Sequence, residues 1–493
     1  MTPKISSATR TRLALVAFTS LWLSACGGGG GGDTVAAAPS PLPAASGAPA
    51  PSASAPSTSA PTAGPATSPS PSSGTSPSTA PPSPAPGGAS QFVAFGTSTV
   101  VTSLPPSPPI RSSDVARLNA GGGVAVWTDG TTLFAQRFDA GGVDIGGPTT
   151  VASDTNGVSG PRVAQLTGGG WVVVWKASLP PVPNSFGRAA TAKLQFKRYA
   201  VDGTQVQDTT DIESAIAIGG FDVKGTADGG FAVASSVVPG PVDSDVVLQR
   251  FDGNGAQVGT PQSPRRPAGV DESTNGGETD PWLVTLPDNS LEMLWFRKIR
   301  GTTQRQVWMQ HFDAQSAPIG DAVAFGQTLQ DGAPPAGSGI QFAAAALSDG
   351  RIVLTWSEIL GANDPTPRRQ FWLIADQAGA VQTPVGAMSV GRVIEGVAVA
   401  PAGNGGFTLF SQLSDAAQRP ALAVYESIDV LSVDNTGAAQ GTWATLVSRL
   451  IVAPNNGPVD QAYSVAGGPD GHYVVSFQQA VAPNGGNLDV LGK

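Results

Sequence analysis

The 493-residue chain has one cysteine, Cys26, and two histidines, His311 and His472. A single cysteine excludes an intramolecular disulfide framework, and its place near the start excludes thiol catalysis in everything that follows. Charged residues make up only 13% of the chain and aromatic residues 6%. Positive charge is the scarcer sign, with 27 Lys and Arg against 36 Asp and Glu and a formal net charge of -9. That balance suits neither nucleic acid nor an anionic membrane surface, so no nucleic-acid partner is expected. No H-E-x-x-H, G-x-S-x-G or G-x-x-x-x-G-K-[ST] occurs, which argues against zincin, α/β-hydrolase and P-loop chemistry. Glycine (63) and proline (44) are abundant, which is the composition of a turn-rich chain.

The positive charge of the first 25 residues is Lys4, Arg10 and Arg12, and no acidic residue precedes Asp33. The apolar stretch Leu13 to Leu23 follows them and is too short to span a bilayer, so residues 1–25 are expected to be an export signal. The four residues Leu23-Ser24-Ala25-Cys26 resemble the lipobox of bacterial lipoproteins. That resemblance implies lipid attachment at Cys26 and a membrane partner through the anchor. The same resemblance implies the outer membrane, because Gly27 rather than Asp follows the cysteine. An ordinary signal peptide with a chance cysteine is the alternative.

Residues 26–90 are expected to be a disordered tether. Six glycines lead into a Pro, Ala, Ser and Thr tract with one charge, Asp33, and no aromatic residue. Nothing in it can be buried to offset the entropy of ordering. Its reach is on the order of 200 Å extended and roughly 45 Å as a coil. The hexaglycine satisfies G-x-G-x-x-G formally, but no strand precedes it and no helix follows, so it marks no nucleotide site. No cofactor is expected.

Residues 91–493 repeat internally. GGGVAVW ending at Trp127, GGWVVVW at Trp175, GGFAVAS at Ser235, NSLEMLW at Trp295, DGRIVLTW at Trp356, GGFTLFS at Ser411 and GHYVVSF at Phe477 recur at intervals of 48 to 66 residues. A second stretch precedes an Asp-containing turn in the first six units, as in FAQRFDAGG, LQRFDGNG and MQHFDAQS. Asp and Asn before Gly favour tight hairpins because they tolerate positive φ and bond their own backbone. The dense ligand set that calcium requires is missing from these turns, so no metal is expected. With one apolar stretch before each Gly turn and one after each Asp turn, the unit is four antiparallel strands in meander order. That is a propeller blade.

The fold class predicted is therefore all-β, a seven-bladed propeller. FVAFGTSTVVTS (Phe92 to Ser103) matches GVDIGGPTTVAS (Gly142 to Ser153), the end of the first unit, while the last unit lacks a fourth strand. Closure by the N-terminal strand is expected, with Thr97 to Ser103 beside Asn487 to Leu491. The repeat resembles the GGFVVVW and QRFDANG-type units of bacterial cell-surface proteins. Its shared residues are turn glycines and core apolars, so the resemblance implies a scaffold and little about activity. The chain lacks the Gly-His and Trp-Asp pairs of WD repeats and the S-x-D-x-G-x-x-x-W box of sialidases.

Meander parity puts Gly turns and Asp turns at one end of the ring and all long connections at the other. The long stretches Ser178 to Lys193, Ser263 to Asp280, Phe325 to Gly339 and Gly361 to Arg369 then gather on the expected binding face. Asp271, Glu272, Glu278 and Asp280 crowd one of these loops, and Arg368 with Arg369 on another suits an anionic ligand. The histidines, beside turns, are expected to be structural or solvent-facing, and no catalytic residue is assigned. The function expected is an envelope lipoprotein that binds or assembles an envelope protein or polysaccharide. A polysaccharide hydrolase or lyase using paired carboxylates, and a structural envelope protein, are the alternatives.

Overall fold

The computed structural model describes residues 99–492 with breaks at 103–111, 120, 181–190, 216, 239–243, 271–274, 303, 331–341, 360–367, 391, 415–422, 453–462, 469 and 482–484. All regular structure among the described residues is strand. The first blade is β2 (Ser112–Arg117), β3 (Gly123–Thr128), β4 (Thr132–Phe138) and β5 (Asp144–Ser153), and the chain reaches it after β1 (Thr99–Thr102). The second is β6 (Val158–Gln165), β7 (Trp171–Ser178), β8 (Ala192–Tyr199) and β9 (Gln205–Ala215). The third is β10 (Ala217–Gly225), β11 (Phe231–Val238), β12 (Asp245–Phe251) and β13 (Gln257–Gln262). The fourth is β14 (Asn275–Thr285), β15 (Leu291–Ile299), β16 (Gln304–Phe312) and β17 (Pro318–Gln330). The fifth is β18 (Phe342–Ala346), β19 (Ile352–Ile359), β20 (Arg368–Ala375) and β21 (Gly386–Ser389). The sixth is β22 (Val393–Pro401), β23 (Phe407–Ser414), β24 (Ala423–Val433) and β25 (Ala444–Val452). The last three strands are β26 (Tyr463–Gly467), β27 (Tyr473–Val481) and β28 (Gly485–Gly492).

Six sheets thus use four consecutive strands, and a seventh has the order β1-β28-β27-β26. The first strands touch in a cycle, β2 to β6 to β10 to β14 to β18 to β22 to β26 and back to β2. This is a propeller of four-stranded antiparallel blades. The N-terminal strand closes it in the expected register, with Thr99 opposite Val490, Val100 opposite Asp489 and Thr102 opposite Leu488. Pairing β1 with β28 brings the last sheet to four strands and covers the edge that β28 would otherwise expose.

The second strands lie between neighbouring blades, which is why β3 (GVAVWT) and the start of β7 (WVVVW) read as near-continuous apolar runs. Gly123–Thr128 is buried along its whole length, whereas most of Asp144–Ser153 on the outer edge is exposed. The cores lie between blades. Val124, Val126 and Leu133 pack on Trp171, Val173 and Trp175 of the next sheet, and Phe196 packs on Phe231 and Phe251. Trp127, Trp175, Trp295 and Trp356, each ending a repeat, are among the largest fully buried side chains.

Polar bonds tie the inner strands together. Asp114 accepts from the Val163 amide at 2.8 Å and from the Ser464 hydroxyl, and Asp222 accepts from the Leu283 amide at 2.9 Å. Arg117 grips Asp470 with two bonds of 2.8 and 2.6 Å across the closing joint.

The recurrent aspartates are occupied with turn formation. Asp139 accepts from the amides of Gly141 and Val143, Asp252 from Asn254 and Ala256, and Asp434 from Thr436 and Ala438. The arginine of QRFD also has a structural partner. Arg137 donates to the backbone carbonyl of Asp202 and Arg198 to that of Gly253, each in the next blade's turn.

Candidate functional site at the long-loop end

Antiparallel order places the starts of β12, β14, β16 and β20 and the ends of β7, β9, β11 and β15 at the end opposite the Gly and Asp turns. The charged side chains described there concentrate where the third and fourth blades meet.

Two of the expected loop carboxylates are not on a loop. Glu278 and Asp280 lie within β14, the innermost strand of the fourth blade, and the loop ends before Asn275. The strand is irregular there, which hid it in the sequence. Its register against β15 shifts between Asn275 and Glu278 and again between Thr279 and Trp282. Gly277 has φ of 111° and Asp280 has φ of 55°, so bulges break the alternation that marks a strand. Asp280 holds a left-handed conformation that a non-glycine residue rarely adopts, and such positions cluster at functional sites.

The two carboxylates differ in setting. Glu278 is 2% exposed and its Oε1 lies 3.3 Å from an Arg266 guanidinium nitrogen. Its amide donates to the Ser244 carbonyl at 2.9 Å, and its own carbonyl accepts from the Ser236 hydroxyl at 2.8 Å. Burial pushes its carboxyl above the usual range, and the Arg266 charge opposes that. Arg266 also lies 3.2 Å from Asp245 and so bridges two blades. Asp280 is solvent-exposed and 3.7 Å from Arg305, whose guanidinium lies over the Phe296 ring. Gly220 on β10 allows this approach, because a Cβ there would stand 2.9 Å from the Asp280 Cα.

Arg368 and Arg369 begin β20 in the fifth blade, opposite Ile359 and Glu358, and are strand residues rather than loop residues. Arg369 is exposed. Asp271, Glu272 and Cys26 lie outside the described residues. The structure therefore pairs Glu278 with Arg266, which also meets Asp245, and separately pairs Asp280 with Arg305, partners that sequence reading did not single out. Arg266 was legible as part of the long loop, but Asp245 and Arg305 look in sequence like any strand-end charge.

A second, half-buried carboxylate stands at the same end on the second blade. Glu213 accepts from Ser235 Oγ and, at 3.4 Å, from Gln249, and burial raises its pKa. Lys176, lowered by burial, donates to the Ile218 carbonyl at 3.2 Å. Among the described residues no group of three or more His, Cys, Asp or Glu is placed to hold a metal. Such an arrangement offers fixed charges of both signs for recognition, and in Glu278 an acid that keeps its proton above the ordinary carboxylate range.

No protein-family model and no curated protein matches the chain. Solved structures with a similar arrangement include the polysaccharide lyase Uly1, at 10% identity and TM-score 0.46, over 82% of this chain and 93% of that one. A PL25 ulvan lyase bound to -[GlcA(1-4)Rha3S]- has 10% identity and TM-score 0.45 over 76% and 90%. The GH93 α-L-arabinofuranosidase of Fusarium graminearum has 13% identity and TM-score 0.38 over 68% and 92%. At this identity and TM-score the likeness assigns no activity to the chain.

Proposed function

We propose that this chain is a membrane-anchored envelope lipoprotein whose propeller, read as seven blades, is a binding or assembly scaffold presenting its long-loop end. Cys26 is the lipid attachment and the outer membrane the address that fits its flanking residues. The observation that carries this reading is the gathering of the long connections, the exposed Asp280 and the Arg266 bridge at one end of the blades. That end is the one offered to the partner, an envelope protein or polysaccharide. Rigid strands beneath variable loops are a common way to build a binding surface.

The test is affinity capture from solubilised envelope proteins and from isolated cell-wall and capsular polysaccharide. The full-length protein is compared with one whose connections 179–191, 263–274, 331–341 and 360–367 are shortened to Gly-Ser. Capture by the first protein alone supports the long-loop end. Equal capture by both, or none by either, ends this reading.

A second reading as a polysaccharide hydrolase or lyase draws on Glu278, whose raised pKa suits a general acid. Glu278 and Asp280 share one strand, which argues against their flanking a bond from opposite sides. Unchanged turnover of uronic acid polymers in Glu278→Gln would remove that reading.

A further inference from the structure

The short-turn end repeats one construction from blade to blade, and the fourth blade departs from it in four places. In the first three blades the third strand carries Arg137, Arg198 or Arg250, opposite Val124, Val172 or Ala232 on the second strand. The same pair is Val353 with Ile374 in the fifth blade and Thr408 with Ser432 in the sixth. In the fourth it is Glu292 with His311. A carboxylate thus occupies a slot that is otherwise mostly aliphatic core, and an imidazole replaces an arginine.

The other two departures are in the adjoining turns. Asn289 and Ser316 have φ of 69° and 66°, where the matching turns of other blades place glycine, as at Gly229 and Gly255. Asn289 turns to the third blade, where its Oδ1 accepts from the Ala227 amide, so the departures that meet are Glu292 and His311, and a buried acid in an aliphatic slot breaks the packing rule that the other blades keep.

The pair is close and enclosed. His311 Nδ1 is 2.6 Å from Glu292 Oε1, Glu292 is fully buried and the His311 side chain is 14% exposed. Glu292 Oε2 has no hydrogen-bond partner, and neither has the buried Ser316 hydroxyl, so Ser316 is not joined to the pair. The other charged groups acting on it are Asp288 from the β14–β15 turn, Asp313 from the β16–β17 turn and Asp376 from the fifth blade's β20–β21 turn. All three are acidic. Each accepts hydrogen bonds from its own turn: Asp288 from Ser290, Asp313 from Gln315 and Ala317, Asp376 from Ala378 and Ala380. The fifth blade's turn is packed tightly here, since a Cβ on Gly379 would meet Val323 at 2.4 Å and Met309 at 3.4 Å.

We infer that the short-turn end of the fourth blade is a proton-dependent joint to the fifth blade, held while the Glu292–His311 pair is protonated and loosened when it loses its protons. Burial lifts the Glu292 carboxyl to about 7, against the His311 bond that lowers it. The Glu292 bond in turn lifts His311 above its ordinary value, against burial. Both folded-state values lie above the unfolded ones. Their contribution is therefore full below the unfolded carboxylate value of 4.5 and is lost as pH rises through about 7. Beyond that the pair is a buried carboxylate beside a neutral imidazole, with aspartates facing it.

Hydrogen exchange of the full chain at pH 6 and pH 9, corrected for intrinsic rates, tests the joint. Exchange of residues 291–312 relative to 171–199 is expected to rise about tenfold or more at pH 9, since one unit of pKa shift is tenfold in equilibrium. Glu292→Gln, which stays neutral, and His311→Arg, which restores the residue of the first three blades, are both expected to abolish the rise. An unchanged ratio in the wild-type protein overturns the inference, as does a full pH response surviving in either variant.

Discussion

The short-turn end and the long-loop end are built from the same strands and obey different rules. At the short-turn end, turns close with the same backbone bonds, Leu118 to Gly122, Leu166 to Gly170 and Thr226 to Gly230, and each recurrent aspartate is bonded to its own turn. At the long-loop end the connections differ from blade to blade, and β14 is bulged around Glu278 and Asp280. Repetition follows where residues serve the scaffold, because every blade must solve the same packing problem. Irregularity collects where a surface is free to differ. The fourth blade carries both, since its strained Asp280 sits at one end and the Glu292–His311 pair at the other.

The comparison can be broken at several strengths. Trp175→Ala, removing a side chain 1% exposed between blades, should cost about 3–5 kcal/mol in denaturant melts. A loss under 1 kcal/mol would mean that the interblade core is not the main source of stability.

Asp434→Ala removes the acceptor for the amides of Thr436 and Ala438 and for Gln440, and should cost about 1–2 kcal/mol. Burial disfavours ionisation of Asp434, but these bonds outweigh it and hold its pKa below the usual value. Its stabilising effect is therefore present above the unfolded value of 3.8 and is lost as pH falls below that. Asp470, held low by Arg117 against the effect of burial, adds to the same acid limb. A melting temperature unchanged between pH 5 and pH 3 would contradict this.

Ser316→Gly should stabilise by about 0.5–1 kcal/mol, because it relieves a left-handed φ and removes a buried hydroxyl without a partner. Destabilisation would show that the hydroxyl has a role at the joint. The smallest effect on stability belongs to Asp280→Asn at the long-loop end, within about 0.5 kcal/mol, since Asn tolerates positive φ and the lost ion pair is exposed. The same variant should weaken loop-dependent capture, which would separate function from folding at the two ends.

Much of the scaffold was legible in the chain because its signals are local. Strand order, the Gly and Asp turns, and the pairing of residues 99–102 with 488–490 all follow from repeats that recur in sequence. The site was less legible. Glu278 and Asp280 were recognised as charges but assigned to a loop, because bulges at Gly277 and Asp280 disguise the strand that carries them. Glu292 sits in NSLEMLW, where an acid between apolar residues looks like an ordinary solvent-facing position of an alternating strand. In a second strand covered by neighbouring blades, no face is left to solvent.

The sequence by itself determined the all-β class, the four-strand unit, the turn chemistry and the strand that closes the ring. These depend on backbone conformation and on hydrophobic period, both of which are written within a few residues. Tertiary structure alone decided which charges meet. Arg266 joins Asp245 to Glu278, Arg117 reaches Asp470 across the chain, and His311 answers Glu292. Those pairings depend on the angle and spacing of neighbouring blades, which no local pattern encodes.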